Sequence, residues 1–340
     1  MSKLQPLFAL KKSGESVNDL NFWSKYQEIN EFTDYLLLAA YGGNAGIDVW
    51  DLKTRRPTFH IDCETAKGFL SVASVNASDI VSLSKEGCLQ SYQVTESSIE
   101  CRAKLYIGDV GFCKASVSSM HEDKTCLVAV PGGSTSLIHI WDIHEQTIIS
   151  RLLVPETLKV GMVMCLKLLA KEKIIVAGYE DGSIICWDIF QRTILFCAKR
   201  LFTEPVMGLD AIVVRNESEI FVHGVASSAK EEVIKWKGCL HVDRIESPSN
   251  NFTVLKTISL LNAGVSCVSI RHDKKIFATG GWDNTVRLFS WKTAKPLAVL
   301  NYHNESIRTL TFAANILSSN QVMACGSSDK KITIWKVYND

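Results

Sequence analysis

One phrase recurs down this chain: an apolar run, a glycine, a short turn usually ending in Asp or Asn, an alternating strand, then an aromatic residue. The fullest copies are IIVAGYEDGSIICWDI at 174–189, IFATGGWDNTVRLFSW at 276–291 and VMACGSSDKKITIWKV at 322–337. A fourth is LLLAAYGGNAGIDVWDL at 36–52. Each copy alternates with period two, as a half-buried strand requires. In 183–188, Ile184, Cys186 and Asp188 fall on one side and Ile185 and Trp187 on the other. The GYEDG segment supplies the tight hairpin turn. Aligned on the aromatic residue that ends each third strand, the copies fall at Trp50, Tyr92, Trp141, Trp187, Trp236, Phe289 and Trp335. Neighbouring anchors are 42 residues apart at the closest (50 to 92) and 53 at the widest (236 to 289).

Hairpin units repeating at roughly 40–45 residues predict a WD-repeat β-propeller. Seven anchors predict seven blades, each a four-stranded antiparallel sheet. The chain of 340 residues is therefore expected to be all-β, a single seven-bladed propeller over 1–340, although length alone favours about two domains of ~150 residues. Only three strands remain for blade seven at the C-terminal end. The strand-like PLFALKK at 6–12 is expected to supply the fourth, which removes an exposed sheet edge. The segment 239–251, with its ESPSNN stretch, reads as a surface insertion.

WD-repeat blades resemble one another in a buried polar set. It joins the third-strand Trp, a second-strand Ser or Thr, a His before the first strand and the turn Asp. Such a network satisfies buried polar groups and clamps several strands at once. Blade seven offers His303, Asp329 and Trp335, with Cys325 where the hydroxyl is expected. Blade six has Thr279 and Asp283, but Phe289 replaces Trp. Blade four has Asp181 and Trp187, with Ala177 at the hydroxyl place and no His. In blade one Asn44 takes the turn position. Trp50, Trp141 and Trp236 are expected to be structural anchors, and the His303–Asp329 pair a clamp rather than a catalytic dyad.

Net charge is +1, which argues against neutralisation of a nucleic-acid backbone. The longest basic cluster is short: Lys53, Arg55 and Arg56. The 11 cysteines form no C-x-x-C pair, so zinc ribbons and thioredoxin-like motifs are disfavoured. Many thiols without a disulfide framework, and no apolar leader over Met1 to Gly14, lead to an expected cytoplasmic and nuclear location. GGNAG at 42–46 lacks the Lys-Ser/Thr of a phosphate loop. His139 and His144 are spaced for opposite strand faces. No catalytic residues, metal or cofactor are expected, and no membrane partner.

Binding on a propeller falls to the second-to-third-strand turns and the loops leading into each first strand. Tyr41, Tyr179 and Trp282 read as aromatic residues in such turns, where small residues are the rule. Met162 and Met207 add adaptable contacts, and Glu180 and Arg308 add polar specificity. Phe112 and Met164 are expected to pack internally instead.

VGFCKAS at 110–116, LVAVPG at 127–132, VGMVMCLKL at 160–168 and EPVMGLD at 204–210 go beyond a generic repeat. So do ATGGWDNTVRLFSWKTAKPLAVLNYH at 278–303 and the closing ACGSSDKKITIWKVY. In these phrases the chain resembles the guanine nucleotide-binding protein β subunit-like protein 1 family, from about residue 6 to 338. The resemblance implies a propeller-only scaffold linked to the TTT co-chaperone assembly, which matures phosphatidylinositol-3-kinase-related kinases, and to DNA-damage signalling. Its fungal relative is the ASTRA-associated protein of a chromatin-associated assembly. Alternatives are a reader of histone tails or phosphopeptides, and a substrate receptor of a ubiquitin ligase. A G-protein β subunit is disfavoured, because the short lead before the first blade, broken by Pro6 and Gly14, leaves no room for a γ-binding coil.

Overall fold

The computed structural model describes residues 4–11, 14–24, 35–64, 67–95, 97–119, 125–133, 136–216, 219–240, 251–313 and 321–337. It is a WD-repeat β-propeller of seven antiparallel four-stranded sheets. Blades one to six span 17–61, 69–106, 116–153, 163–198, 206–259 and 265–301. Blade seven takes Ile307–Phe312, Val322–Ser327 and Lys331–Lys336 from the C-terminal end. Its fourth strand is Phe8–Lys11, with Phe8 opposite Ile334 and Lys11 opposite Lys331. The strand expected over 6–12 therefore forms at 8–11, and its Leu10 packs with Ile332, Ile334 and Leu37. Of the insertion expected at 239–251, residues 241–250 lie outside the described residues.

Two compact units make up the fold. Residues 1–106 with 269–340 hold blades one, two, seven and most of six; residues 107–268 hold three, four and five. In each unit the core lies between adjacent blades, and four third-strand aromatics pack against the blade before them within their unit. Tyr92 joins Trp23, Val49 and Ile61 of blade one. Trp50 joins Leu10, Ile332 and Ile334 of blade seven. Trp187 joins Leu127, Ile138 and Ile140 of blade three. Trp236 meets Phe196 of blade four edge-on at 5.7 Å. Gly224 stands opposite Trp236 in register. A Cβ on Gly224 would sit 2.2 Å from the indole, so only glycine fits.

A one-residue slip between third and fourth strands precedes the anchor in blades one to six, as between Val49 and Trp50 or Cys186 and Trp187. The extra residue lies on the fourth strand, as Thr58 and Leu195 do, and such a bulge adds local twist. The Asp after the Trp then caps the hairpin. Asp51 accepts the Lys53 N–H at 2.8 Å, Asp142 that of His144 at 2.9 Å and Asp188 that of Gln191 at 2.7 Å.

The clamp of blade seven is complete, but its hydroxyl comes from another strand. His303 Nδ1 contacts Asp329 at 3.0 Å and His303 Nε2 contacts Thr333 Oγ1 at 2.8 Å, while Trp335 Nε1 donates to the same hydroxyl at 2.8 Å. Thr333 lies on the third strand directly opposite Cys325, the second-strand place where the hydroxyl was expected. Blade six is rebuilt. Arg287, opposite Thr279, forks onto Asp283 at 3.1 and 2.5 Å, and with Phe289 in place of Trp the buried Thr279 hydroxyl has no partner. In blade four Asp181 caps its own turn through Ser183 N–H and Oγ, both at 2.9 Å. In blade one Asn44 is exposed, and the carboxylate is Asp48, held 2.7 Å from His60. Trp141 lies edge-on to His139 at 6.4 Å, and the Trp141 and Trp236 indole N–H groups are buried without a partner.

Burial holds the His303 imidazole below its ordinary value, with Asp329 pulling the other way. Burial also works against the Asp329 carboxylate, but His303 and the Asn304 and Lys331 N–H groups outweigh it and hold that carboxyl low. Burial lowers His139 likewise, helped by Arg151.

Two predictions follow from the clamps. Removing the Thr333 hydroxyl strands two buried partners, so Thr333→Val should cost about 1–3 kcal/mol in urea denaturation. Thr279→Val removes an unpaired buried hydroxyl and should be neutral or stabilising; equal losses in both variants would contradict the assignment. The second concerns pH. A His held neutral in the fold binds its proton first in the unfolded chain, so stability is present above about 6.5 and falls as pH drops through the lower folded value. The melting temperature should decline from about pH 7 to 5. His303→Gln should flatten that slope, and an unchanged slope would count against His303 as its source.

Candidate functional site

Two register positions define the turn end of each blade. One is the residue directly after the second strand: Gly42, Lys85, Gly132, Glu180, Ala229, Trp282 and Ser328 in chain order. The other is set by a bulge at the start of the first strand. Pairing skips one residue between Val17 and Asp19, Phe69 and Ser71, Val163 and Cys165, Val206 and Gly208, and Ile307 and Thr309. The extra residues are Asn18, Leu70, Met164, Met207 and Arg308. Bulges re-aim side chains and are common beside functional sites.

In the unit of blades three to five, Glu180 works as a clasp. Its carboxylate accepts the Met162 N–H at 3.1 Å, and its own N–H donates to the Met162 carbonyl at 2.9 Å. The Asp181 N–H adds a bond to the Val160 carbonyl at 3.1 Å. This pins the loop leading into blade four against the turn of the same blade. Met162, Met164 and Met207 are half-buried. Phe112, expected to pack internally, is instead 74% exposed in the loop before blade three, because Cys113 and Val110 fill the core at that point.

In the other unit, Trp282 is 45% exposed at the tip of the blade-six turn. That turn is rigid. Asp283 accepts the Thr285 hydroxyl at 2.8 Å and the Arg287 fork, and Asn284, in the left-handed region at φ 66°, donates to the Asn304 carbonyl at 3.0 Å. A large apolar ring is thus held out into water on a fixed backbone. Arg308 is exposed at its bulge and oriented at two points, donating from Nε to Ser328 Oγ at 2.9 Å and from Nη1 to Asn18 Oδ1 at 2.8 Å. Asn18, 5% exposed, is fixed in turn by donating to the Phe69 carbonyl at 2.7 Å. This chain of bonds crosses blades seven, one and two. Lys85 opens the blade-two turn close enough for the Arg308 guanidinium to act on it. Burial first and Arg308 second lower its ammonium, while Glu15 raises it.

Tyr41 and Tyr179 are not turn residues. Each is the last residue of its second strand, Leu36–Tyr41 and Ile174–Tyr179, with 1% and 0% exposure. The period-two alternation simply continues through them into the core. The Tyr41 hydroxyl accepts the Trp50 indole N–H at 3.0 Å. Burial drives its phenol well up, with the Asp48 carboxylate adding to the effect. Tyr179 lies toward Trp187 without reaching hydrogen-bond geometry, and both polar atoms are buried without a partner. An aromatic cage built from Tyr41, Tyr179 and Trp282 is therefore ruled out. Asn18, Lys85 and Ser328 escaped sequence reasoning, although Lys85 occupies the turn place that singled out Trp282. Among the described residues no three His, Cys, Asp or Glu side chains gather as a metal site. All eleven cysteines are free thiols.

These positions change what alanine does. Tyr41→Ala and Tyr179→Ala truncate core aromatics and should each destabilise by about 3–5 kcal/mol in chemical denaturation. Unshifted unfolding of either variant would contradict the buried placement.

The family model of the WD domain, G-beta repeat, matches residues 156–188, 253–290 and 294–336. Guanine nucleotide-binding protein subunit beta-like protein 1 of Mus musculus is 30% identical over 339 residues, covering 98% of this chain and 96% of its own. ASTRA-associated protein 1 of Penicillium rubens is 23% identical over 396 residues, covering 97% of this chain and 86% of its own. The Schizosaccharomyces pombe ASTRA-associated protein 1 is 42% identical over 77 residues, 23% of this chain and 20% of its own. With seven blades in place and a relative matched along nearly its whole length, the chain belongs to the WD-repeat family of guanine nucleotide-binding protein subunit beta-like protein 1.

Proposed function

We propose that this protein is a non-enzymatic interaction scaffold, an adaptor of the TTT co-chaperone system that supports the maturation or stability of phosphatidylinositol-3-kinase-related kinases in the cytoplasm and nucleus. The observation that carries the docking role is Trp282, an indole 45% exposed on a turn fixed by Asp283 and Asn284. Leaving a Trp in water is unfavourable for the free protein, and Trp is the residue type most enriched at binding hot spots. Arg308 and Met207, projected by first-strand bulges, and Met162, held by the Glu180 clasp, extend the docking surface within their own units. The kinship with ASTRA-associated proteins supports the choice of partner. WD-repeat propellers serve as protein-binding platforms, and the side chains gathered here supply contacts and no nucleophile–base pair.

Affinity purification from cells with mass spectrometry tests this reading. The wild type should recover TTT components and related kinases. Trp282→Ala should reduce recovery about tenfold or more, the scale of a hot-spot truncation of ~2 kcal/mol, with an unshifted melting temperature. Unchanged recovery would remove Trp282 from the interface. Recovery of histones, ligase subunits or a G-protein γ subunit instead would replace the adaptor role.

A further inference from the structure

Arg308 and Lys85 are two cations at the turn ends of blades seven and two, joined through Asn18 of blade one, which accepts from Arg308 and donates to the carbonyl of Phe69, the residue paired with Ser84 beside Lys85. Among the described residues neither makes an ion pair. Arg308 already uses Nε on Ser328 and Nη1 on Asn18, both neutral acceptors, so its charge is uncompensated while its orientation is fixed. The Asn18 amide cannot swing away, because its own N–H group is spent on the buried Phe69 carbonyl. Ser328 is likewise held, through Ser306 Oγ at 3.1 Å and through its N–H on the Ser306 carbonyl at 3.0 Å. The remaining guanidinium nitrogen, Nη2, is left with no partner among the described residues. Lys85 sits half-buried in the blade-two turn, and Glu15, the carboxylate that acts on it, is exposed. Holding two like charges together costs free energy in the free protein, and that cost is recovered when an anion arrives. Removing side-chain freedom beforehand lowers the price of binding.

We propose that Arg308 and Lys85, with Asn18 and Ser328 as positioning residues, form a receptor for an oxyanion on a protein partner: the carboxylates or phosphoryl groups of an acidic or phosphorylated segment. The planar guanidinium presents a donor fork suited to carboxylate or phosphate geometry, and the ammonium closes the second side as a point charge. Charge complementarity selects an anion, and the docking role proposed for this end of the blades makes a protein partner its source. The inference rests on reading this end of the blades as a docking surface, but its test needs no cellular partner.

Fluorescence anisotropy on the full chain decides it, with three peptides in one Gly/Ser frame: phosphoserine-rich, glutamate-rich and neutral glutamine-rich. Vesicles of phosphatidylcholine with phosphatidylserine form a fourth arm. The phosphoserine or the glutamate peptide should bind and weaken with added salt, and the neutral peptide should not bind; the stronger of the two names the anion's source. Lys85→Gln leaves the Arg308 bonds intact and should weaken binding about tenfold, and Arg308→Gln more, because charge pairs at interfaces carry that scale of coupling. Arg308→Lys should recover part of the loss. Equal binding of the neutral peptide, full binding by a folded Lys85→Gln variant, or binding to vesicles without peptides would each overturn the proposal. Because no TTT protein is present, failure here leaves the adaptor reading to stand or fall on the capture experiment.

Discussion

The aromatic anchor stays on the normal alternation of its third strand and packs against the blade before it: Trp187 shares a face with Ile185 and meets the Ile138 and Ile140 strand of blade three, and Trp236 meets Phe196 of blade four. Much else depends on that contact. Just before the anchor, third and fourth strands slip by one residue in blades one to six, and the slip adds twist to the blade. The blades are then fixed by apolar contact between faces, and by rows of first-strand bonds such as Thr309 to Asp19 at 3.0 Å and Val72 to Asp19 at 3.1 Å. The polar clamps add to this frame without creating it. Blade six keeps its register with no Trp at the anchor and no clamp His, because Phe289 stacks on Phe277 at 5.1 Å and Arg287 ties down Asp283.

The same device serves a different end in the first strands. There the bulge releases one residue from the ladder, and chemistry at that residue is free to vary. In one unit it is Asn18, Leu70 and Arg308; in the other it is methionine, Met164 and Met207. Core aromatics and clamps hold the sheet, and in the docking role proposed above the bulge residues and turn tips are what a partner would meet. Trp282 illustrates the division. Its neighbours Asp283 and Asn284 are committed to the turn, and the indole is committed to nothing.

The fold was legible because the repeated phrase encodes both period and punctuation. Every anchor chosen from sequence, from Trp50 to Trp335, lies in a third strand. The Phe8–Lys11 strand was legible from the missing strand of blade seven. Side-chain roles were read less well, for physical reasons. Directly paired residues on neighbouring strands share a face, so Thr333 can do from the third strand what a hydroxyl at Cys325 would do from the second. Tyr41 and Tyr179 precede turn-like residues, yet the strand runs through them, and alternation sends their rings inward. Bulges leave no mark on a single sequence, which is why Asn18 went unnoticed and Lys85 was hidden beside Glu86. Trp282 was legible by contrast, since a large ring in a short turn breaks the usual chemistry of turns.

If partners dock as proposed, they meet the turn ends of the blades and not their outer strands. A photo-crosslinking residue placed at Lys330, exposed in the blade-seven turn, and separately at Leu297, 46% exposed on the outer strand of blade six, tests it in cells. Docking at the turn ends should give crosslinks to TTT components from position 330 and none from 297. Crosslinks from 297 alone would place docking on the outer strands instead.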